Sequence, residues 1–149
     1  MPYWLMKSEP DEFSIRDLEK LGTGRWDGVR NYQARNFIRA MAEGDRFFFY
    51  HSSCAKPGIV GIGCITRTAF PDPTAIDPAS DYFDAKATEQ NNPWSAVDVG
   101  FIERFDTVLM LPLLKGNPAL TQLPLVQKGS RLSVMPVRES EWFAILAMR

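Results

Sequence analysis

The sequence has few of the residues from which catalytic and metal sites are usually built. Its 149 residues include one histidine, His51, and two cysteines, Cys54 and Cys64. A mechanism that pairs a nucleophile with a histidine base would therefore have to use His51. The three-residue separation of His51 and Cys54 would point them to opposite faces of a strand. Two cysteines are too few for a disulfide framework, and their spacing from His51 matches no zinc pattern, so we expect buried free thiols.

The sequence also lacks a charge excess and a long apolar run. It has 17 basic and 18 acidic residues and a net charge of −1. Proteins that neutralise many phosphates are usually strongly basic, so we do not expect tight non-specific binding to a duplex, and any nucleic-acid contact must rest on a local site. No apolar run approaches the ~18–20 residues of a membrane span. The start of the chain lacks the pattern of a signal peptide, and we expect a cytoplasmic protein with no membrane attachment.

The composition that is present is ordinary for a folded protein. Hydrophobic residues make up 45% and charged residues 23%, which predicts one domain over residues 1–149. Patterning predicts strands at Tyr3–Lys7, Arg46–His51, Gly58–Ile65, Val97–Phe105 and Arg131–Val137. It predicts helices at Ser14–Leu21, Tyr32–Ala42 and Glu139–Met148, with short helices in Leu111–Lys128. Uneven strands with few long helices indicate an α+β fold built around a β-barrel.

Glycines mark two special segments of this pattern. Gly61 and Gly63 lie inside a predicted strand, where glycine indicates a bend or a close approach of another backbone. Gly22, Gly24 and Gly28 surround Trp26 and predict a flexible connection there.

One short pattern suggests an enzyme. Pro71-Asp72 is followed by Asp84-Ala85-Lys86, and a magnesium nuclease uses two carboxylates to hold the metal and a lysine to stabilise charge. The pattern is degenerate, and prolines on both sides of Asp72 are also typical of a turn. A magnesium-dependent nuclease that uses Asp72, Asp84 and Lys86 is therefore one alternative function.

Aromatic and polar residues at the ends of predicted elements suggest a ligand pocket. Lys7-Ser8 and His51-Ser52 each end a strand, and Trp26 precedes the N-cap residue Asn31. A planar ligand needs an aromatic face for stacking and polar groups for its hydrogen-bonding edge. Each residue also has a structural alternative, since Trp26 could cover the core, Asn31 could only cap a helix and His51 could be an interior residue.

Six segments resemble the signature blocks of the EVE domain family, in the order expected for the family. They are Tyr3–Pro10 (YWLMKSEP), Trp26–Asn36 (WDGVRNYQARN), Phe48–Ser52 (FFYHS), Pro57–Ile62 (PGIVGI), Pro71–Ala75 (PDPTA) and Ser130–Val137 (SRLSVMPV). The resemblance implies a PUA-like fold, a bent β-barrel with surrounding short helices, related to YTH domains. It also implies a non-catalytic reader of a modified nucleobase that needs no cofactor or metal. Modified cytosine, such as 5-methylcytosine, is the leading candidate, in DNA rather than RNA.

The resemblance further implies which residues line the pocket. They are Lys7, Ser8, Trp26, Asn31, Tyr32, Arg35, His51, Ser52 and, as a weaker candidate, Ser133. Trp26 and Tyr32 would stack on the base, and Lys7 and Arg35 would hold the flanking phosphate. Asn31, Ser8 and His51 would contact the base edge. A scaffold module that binds a protein or a metabolite is the main alternative, and a monomer is assumed.

Overall fold

The computed structural model of the protein describes residues 2–149, and its centre is one mixed six-stranded sheet. The strands are β1 (Tyr3–Ser8), β2 (Thr23–Trp26), β3 (Arg46–His51), β4 (Gly58–Pro71), β5 (Ser95–Met110) and β6 (Val134–Val137). The α-helices are α1 (Ile15–Leu21), α2 (Tyr32–Ala40), α3 (Leu111–Lys115) and α4 (Glu139–Leu146), and 3-10 turns lie at Pro73–Ile76, Pro118–Leu120 and Pro124–Val126. None of the helices within residues 2–149 has the length and apolar character to cross a membrane.

The order of strands across the sheet is β2-β5-β4-β3-β1-β6. β1 pairs with β3 in parallel, and all other neighbours are antiparallel. The sequence-based expectation of an α+β fold is confirmed. The parallel pair matters for the site, because both of its strands end at the same edge of the sheet.

The sheet curls strongly, as the position of Trp26 demonstrates. β2 and β3 are three places apart in the strand order, which in a flat sheet would separate them by about 14 Å. The ring centroid of Trp26 on β2 nevertheless lies 5.0 Å from that of Phe49 and 5.7 Å from that of Phe47 on β3. The sheet therefore folds back on itself, as expected for a bent barrel.

Bulges and glycines in the longest strand pair allow this bend. The register between β4 and β5 shifts at four places, two of them beside Gly61 and Gly63. A Cβ atom on Gly61 would lie 2.3 Å from the carbonyl oxygen of Glu103, and one on Gly63 would lie 2.5 Å from the Phe47 ring. The predicted close approach at these glycines is confirmed, because only the missing side chains let the neighbours come so near.

The core is aromatic and lies on both sides of β3. Phe47, Phe48 and Phe49 are fully buried, and because successive strand residues face opposite sides, β3 has no solvent-exposed face. Phe48 stacks on Trp142 of α4 with ring centroids 3.9 Å apart. Trp4 and Trp142 are both buried and belong to the same core.

Several elements differ from the sequence-based expectation. The predicted flexible connection around Trp26 is the edge strand β2, which pairs with β5. β4 and β5 run on to Pro71 and Met110, whereas the last strand begins only at Val134. Local patterning cannot show these bounds, because hydrogen bonds to a distant strand decide whether a polar segment is extended.

The close approach at Gly61 predicts a large effect of a single methyl group. We expect Gly61→Ala to lower the free energy of unfolding by about 1–3 kcal/mol, because the Cβ would force the backbones of β4 and β5 apart. Urea unfolding measures the change. Gly116→Ala is the matched control, since a Cβ there meets no atom nearer than 3.5 Å. Equal free energies of unfolding for the two variants would contradict the prediction, because they would show that β4 and β5 accommodate the methyl group without loss of stability.

Candidate ligand-binding site

A cavity of about 760 Å³ opens at the edge of the sheet where β1 and β2 end. Its volume lies within the range of about 300–1,000 Å³ that is usual for small-ligand sites. Of the nine residues that the sequence predicted for the pocket, six line this cavity, namely Lys7, Ser8, Trp26, Asn31, Ser52 and Ser133.

Strand pairing brings the polar residues of the cavity together. Because β1 and β3 are parallel, Ser8 and the residue after β3, Ser52, meet at one edge, where the Ser52 N–H donates to the Ser8 carbonyl at 3.0 Å. The Lys7 N–H donates to the Ser133 carbonyl at 2.8 Å. Residues from three distant parts of the chain therefore form one wall.

Trp26 is both a cavity wall and a core residue. It lines the cavity, but only 5% of it is exposed. The rings of Phe13, Phe47 and Phe49 pack against the indole edge to face, with centroids 5.0 to 6.0 Å away. The sequence left open whether Trp26 lines a pocket or covers the core, and in the structure it does both. The surrounding rings leave the indole little freedom to move.

Tyr32 and Arg35 lie outside the cavity lining. Tyr32 is 60% exposed and stacks on Trp94 with ring centroids 4.8 Å apart. The Arg35 guanidinium lies 4.8 Å from the centre of the Tyr32 ring, and its Nη1 donates to the Pro93 carbonyl at 3.1 Å. This corrects the expectation that Tyr32 and Trp26 form one stacking surface, because α2 directs both side chains toward the 93–94 segment.

His51 also lies outside the cavity lining and forms a hydrogen bond with the first residue of α1. Its Nε2 accepts a hydrogen bond of 3.1 Å from the Ile15 N–H. Burial lowers the pKa of His51, and the nearby Asp17 carboxylate offsets only part of this. The imidazole is therefore a neutral acceptor that caps a helix, with its proton on Nδ1.

Arg30, which the sequence analysis did not single out, connects three segments beside the cavity. Its Nη1 donates to the buried Asp72 carboxylate at 2.9 Å. Its Nε and Nη2 donate to the Tyr82 carbonyl at 3.0 and 2.9 Å, and Nη2 also donates to the Thr74 hydroxyl. Burial alone would raise the pKa of Asp72, but hydrogen bonds from Thr74, Gly28 and Arg30 outweigh it and lower the pKa.

Tyr82 is a second aromatic wall of the cavity that sequence reasoning missed. Gly28 packs against its ring so closely that a Cβ on Gly28 would lie 2.8 Å from a ring carbon. The Tyr82 hydroxyl donates to the Glu12 carboxylate, and burial together with that carboxylate raises the pKa of the phenol. The phenol is therefore protonated at neutral pH. The sequence around Tyr82 has no signal beyond that of a loop. The position of Tyr82 beside the cavity depends on Arg30, which pairs with Asp72 and donates to the Tyr82 carbonyl.

Both carboxylates of the alternative nuclease pattern have structural partners. The Asp72 carboxylate accepts hydrogen bonds from Arg30, Gly28 and Thr74. The Asp84 carboxylate accepts one of 2.8 Å from the indole N–H of Trp94. Within residues 2–149 no three or more His, Cys, Asp or Glu side chains are grouped as a metal site. Hydrogen bonding within the fold therefore accounts for this pattern.

The two cysteines are free thiols, as predicted. They are half-buried and not buried, which corrects one part of that expectation.

Comparison with known proteins places this α+β sheet and its edge cavity in a family. The EVE domain profile matches residues 2–148. Thymocyte nuclear protein 1 of Mus musculus is 42% identical over 98% of this chain and 73% of its own length. A Pseudomonas syringae protein of solved structure is 70% identical with a TM-score of 0.98, and the match covers 98% of each chain. Human THYN1, solved in complex with 5-methylcytosine containing DNA, is 38% identical with a TM-score of 0.91, covering 99% of this chain and 97% of its own.

The fold and the position of the cavity define a PUA-like domain with a pocket at the edge of a bent sheet. The chain belongs to the EVE domain family.

The buried ion pair predicts a large loss of stability when one partner is removed. Asp72→Ala leaves the Arg30 guanidinium and two backbone donors without their acceptor, and we expect the free energy of unfolding to fall by about 3–5 kcal/mol. Chemical denaturation measures it. Asp81→Ala, at an exposed carboxylate of the same cavity, is the control and should change stability little. A loss of less than about 1 kcal/mol in Asp72→Ala would contradict the role of the pair.

The neutral state of His51 predicts a pH dependence of stability. Because folding lowers the pKa of His51 below its ordinary 6.5, the unfolded chain takes up a proton first as the pH falls. Above pH 6.5, titration of His51 should therefore have no effect on the free energy of unfolding. As the pH falls from 6.5 toward the lowered pKa, the free energy of unfolding should decrease. His51→Gln keeps an acceptor without titrating, and the chain has one histidine, so the variant should lose less stability between neutral and mildly acidic pH. Parallel pH profiles of the two proteins would refute this assignment.

Proposed function

We propose that this chain is a non-catalytic binding module that reads a modified base in nucleic acid, with modified cytosine in DNA as the ligand. The observation that carries the proposal is the cavity of about 760 Å³, in a chain 38% identical to a protein solved with 5-methylcytosine containing DNA. The volume suits a nucleobase with part of its sugar.

The residues of the cavity supply the two kinds of contact that a base requires. Tyr82 offers aromatic surface on which a base can stack, and Trp26 exposes a small part of its indole to the same cavity. The polar edge of the base would meet Ser8, Asn31 and Ser133. Asn31 caps α2 with its amide oxygen, which accepts from the Ala34 N–H at 2.9 Å, so its amide NH₂ group is available to donate to a base oxygen.

Energetic considerations set the affinity and the selectivity that such a site can reach. Stacking of one base is worth ~1–3 kcal/mol, whereas extracting a base from a duplex costs a few kcal/mol. Burial of one additional methyl group contributes only about 0.8 kcal/mol, which is a few-fold preference. We therefore expect modest affinity, stronger for single strands, and a selectivity that depends on hydrogen bonds to the modification as well as on its apolar surface.

Binding without catalysis fits the hydrogen bonds of the carboxylates. A magnesium nuclease would need Asp72 and Asp84 free to hold metal, and both accept hydrogen bonds from other parts of the fold. No specific contact favours a scaffold for a protein or a metabolite. The cytoplasmic location and the monomeric state remain predictions.

Tyr82 provides the sharpest test of the aromatic wall. We expect Tyr82→Ala to weaken binding of a single-stranded oligonucleotide that carries 5-methylcytosine by about 5- to 150-fold, equivalent to the loss of ~1–3 kcal/mol of stacking. Tyr82→Phe keeps the ring and should bind within a few-fold of wild type. Fluorescence anisotropy measures both, with cytosine, 5-methylcytosine and 5-hydroxymethylcytosine strands. Tyr82 is preferable to Trp26, since truncating a buried tryptophan costs about 3–5 kcal/mol of stability.

Thermal unfolding of each variant controls for loss of structure. Equal binding of all three strands by the wild type, unchanged in a folded Tyr82→Ala variant, would overturn the proposed function.

A further inference from the structure

A second, smaller cavity adjoins the first. It has a volume of about 380 Å³, and Lys7 lines both cavities. Ser130 lines the second cavity and the next residue, Arg131, lines the first. The two cavities are therefore neighbours, with Lys7 at their boundary.

The two cavities differ in charge. The ionisable residues of the first are balanced, four basic and four acidic: Lys7, Arg25, Arg30 and Arg131 against Glu9, Glu12, Asp27 and Asp81. Two of these cations are also paired, in the Arg25–Asp27 and Arg30–Asp72 salt bridges at 2.8 and 2.9 Å. The second cavity has three lysines, Lys7, Lys115 and Lys128, and no carboxylate in its lining. In a chain with a net charge of −1, this is a local concentration of positive charge.

Of the three lysines of the second cavity, Lys7 is the one that is partly removed from water, whereas Lys115 and Lys128 are exposed. Lys7 is half-buried, and within residues 2–149 the salt bridges join other residues. Its Nζ lies 5.7 Å from the centre of the Tyr50 ring, and burial lowers the pKa of its ammonium group. A partly desolvated ammonium group without a carboxylate gains most from an anion that enters beside it.

We propose that the second cavity holds the phosphodiester backbone of the nucleic-acid strand whose base occupies the first, with Lys7, Lys115 and Lys128 as its phosphate contacts. This inference rests on the proposed function and adds the direction in which the strand leaves the base pocket. Phosphate contacts supply affinity and register, whereas base contacts supply specificity. The first cavity, whose charges balance, would make the base contacts, and the cationic second cavity would make the phosphate contacts.

The continuity of the two cavities favours a strand over a free anion. A free anion would occupy the second cavity alone, and its binding would not need the connection to the base pocket. A strand that enters the first cavity has to continue past its rim, and the shared Lys7 lies on the rim that leads to Lys115 and Lys128.

The salt dependence of binding tests this assignment. We expect the double variant Lys115→Gln/Lys128→Gln to reduce the slope of log affinity against log salt by about 0.7 for each phosphate of a single strand that the variant no longer neutralises. Affinities for modified and unmodified strands should fall by the same factor, which leaves their ratio unchanged. Lys20→Gln/Arg46→Gln removes the same charge at exposed residues outside both cavities and should retain nearly the wild-type slope. A slope in Lys115→Gln/Lys128→Gln that equals that of the control overturns the proposal.

Trimmed oligonucleotides locate the phosphate-binding lysines relative to the base. With the modified cytosine placed at the 5′ end, in the middle or at the 3′ end, the lysine variant should lose affinity for the central position and for only one of the terminal ones. An equal loss at all three positions would indicate general attraction and would also overturn the proposal. Failure of the base-reading function gives a different result. The wild type would then show no preference between strands, while the slope would still depend on Lys115 and Lys128.

Discussion

The buried carboxylate of Asp72 is the constraint on which the cavity depends. A charge placed in the interior without partners would cost more than the fold can compensate. Arg30, Thr74 and the Gly28 N–H therefore converge on Asp72. Since Arg30 also donates to the Tyr82 carbonyl, the same guanidinium sets the position of the outer aromatic wall. One ion pair thus connects three segments of the chain, which contain Arg30, Asp72 and Tyr82, and strand pairing does not hold these segments together.

The parallel pairing of β1 and β3 is the second determinant of the site. It brings Lys7, Ser8 and Ser52 to one edge of the sheet, where the Ser133 carbonyl accepts a hydrogen bond from β1. Close packing around Trp26 then makes one wall of this edge rigid. A cavity with rigid walls loses little conformational entropy when a ligand enters.

Most of the elements could be predicted from the sequence because their signals are local. The aromatic run of β3 and the N-cap residue Asn31 both define elements without reference to distant residues. β2 has no such signal, since its extended form depends on hydrogen bonds to β5. Tyr32 and Arg35 follow the family pattern, yet contacts with Trp94 and Pro93 hold them away from the cavity. A sequence pattern identifies these residues but not the side to which they turn.

The sequence by itself determined the family, the α+β class, the aromatic core of β3 and six residues of the cavity wall. The class and the aromatic strand follow from residue types and spacings that act within a few positions along the chain, whereas the family and the cavity residues follow from the resemblance of six segments to the EVE domain. Only the tertiary structure decided that Tyr82 forms a wall, that Arg30 pairs with Asp72 and that Lys7 borders two cavities of different charge. The contacts of Arg30 join residues that are 42 or more positions apart in the sequence, and Lys7 connects two separate cavities. Such contacts arise only when the sheet bends and brings its ends together.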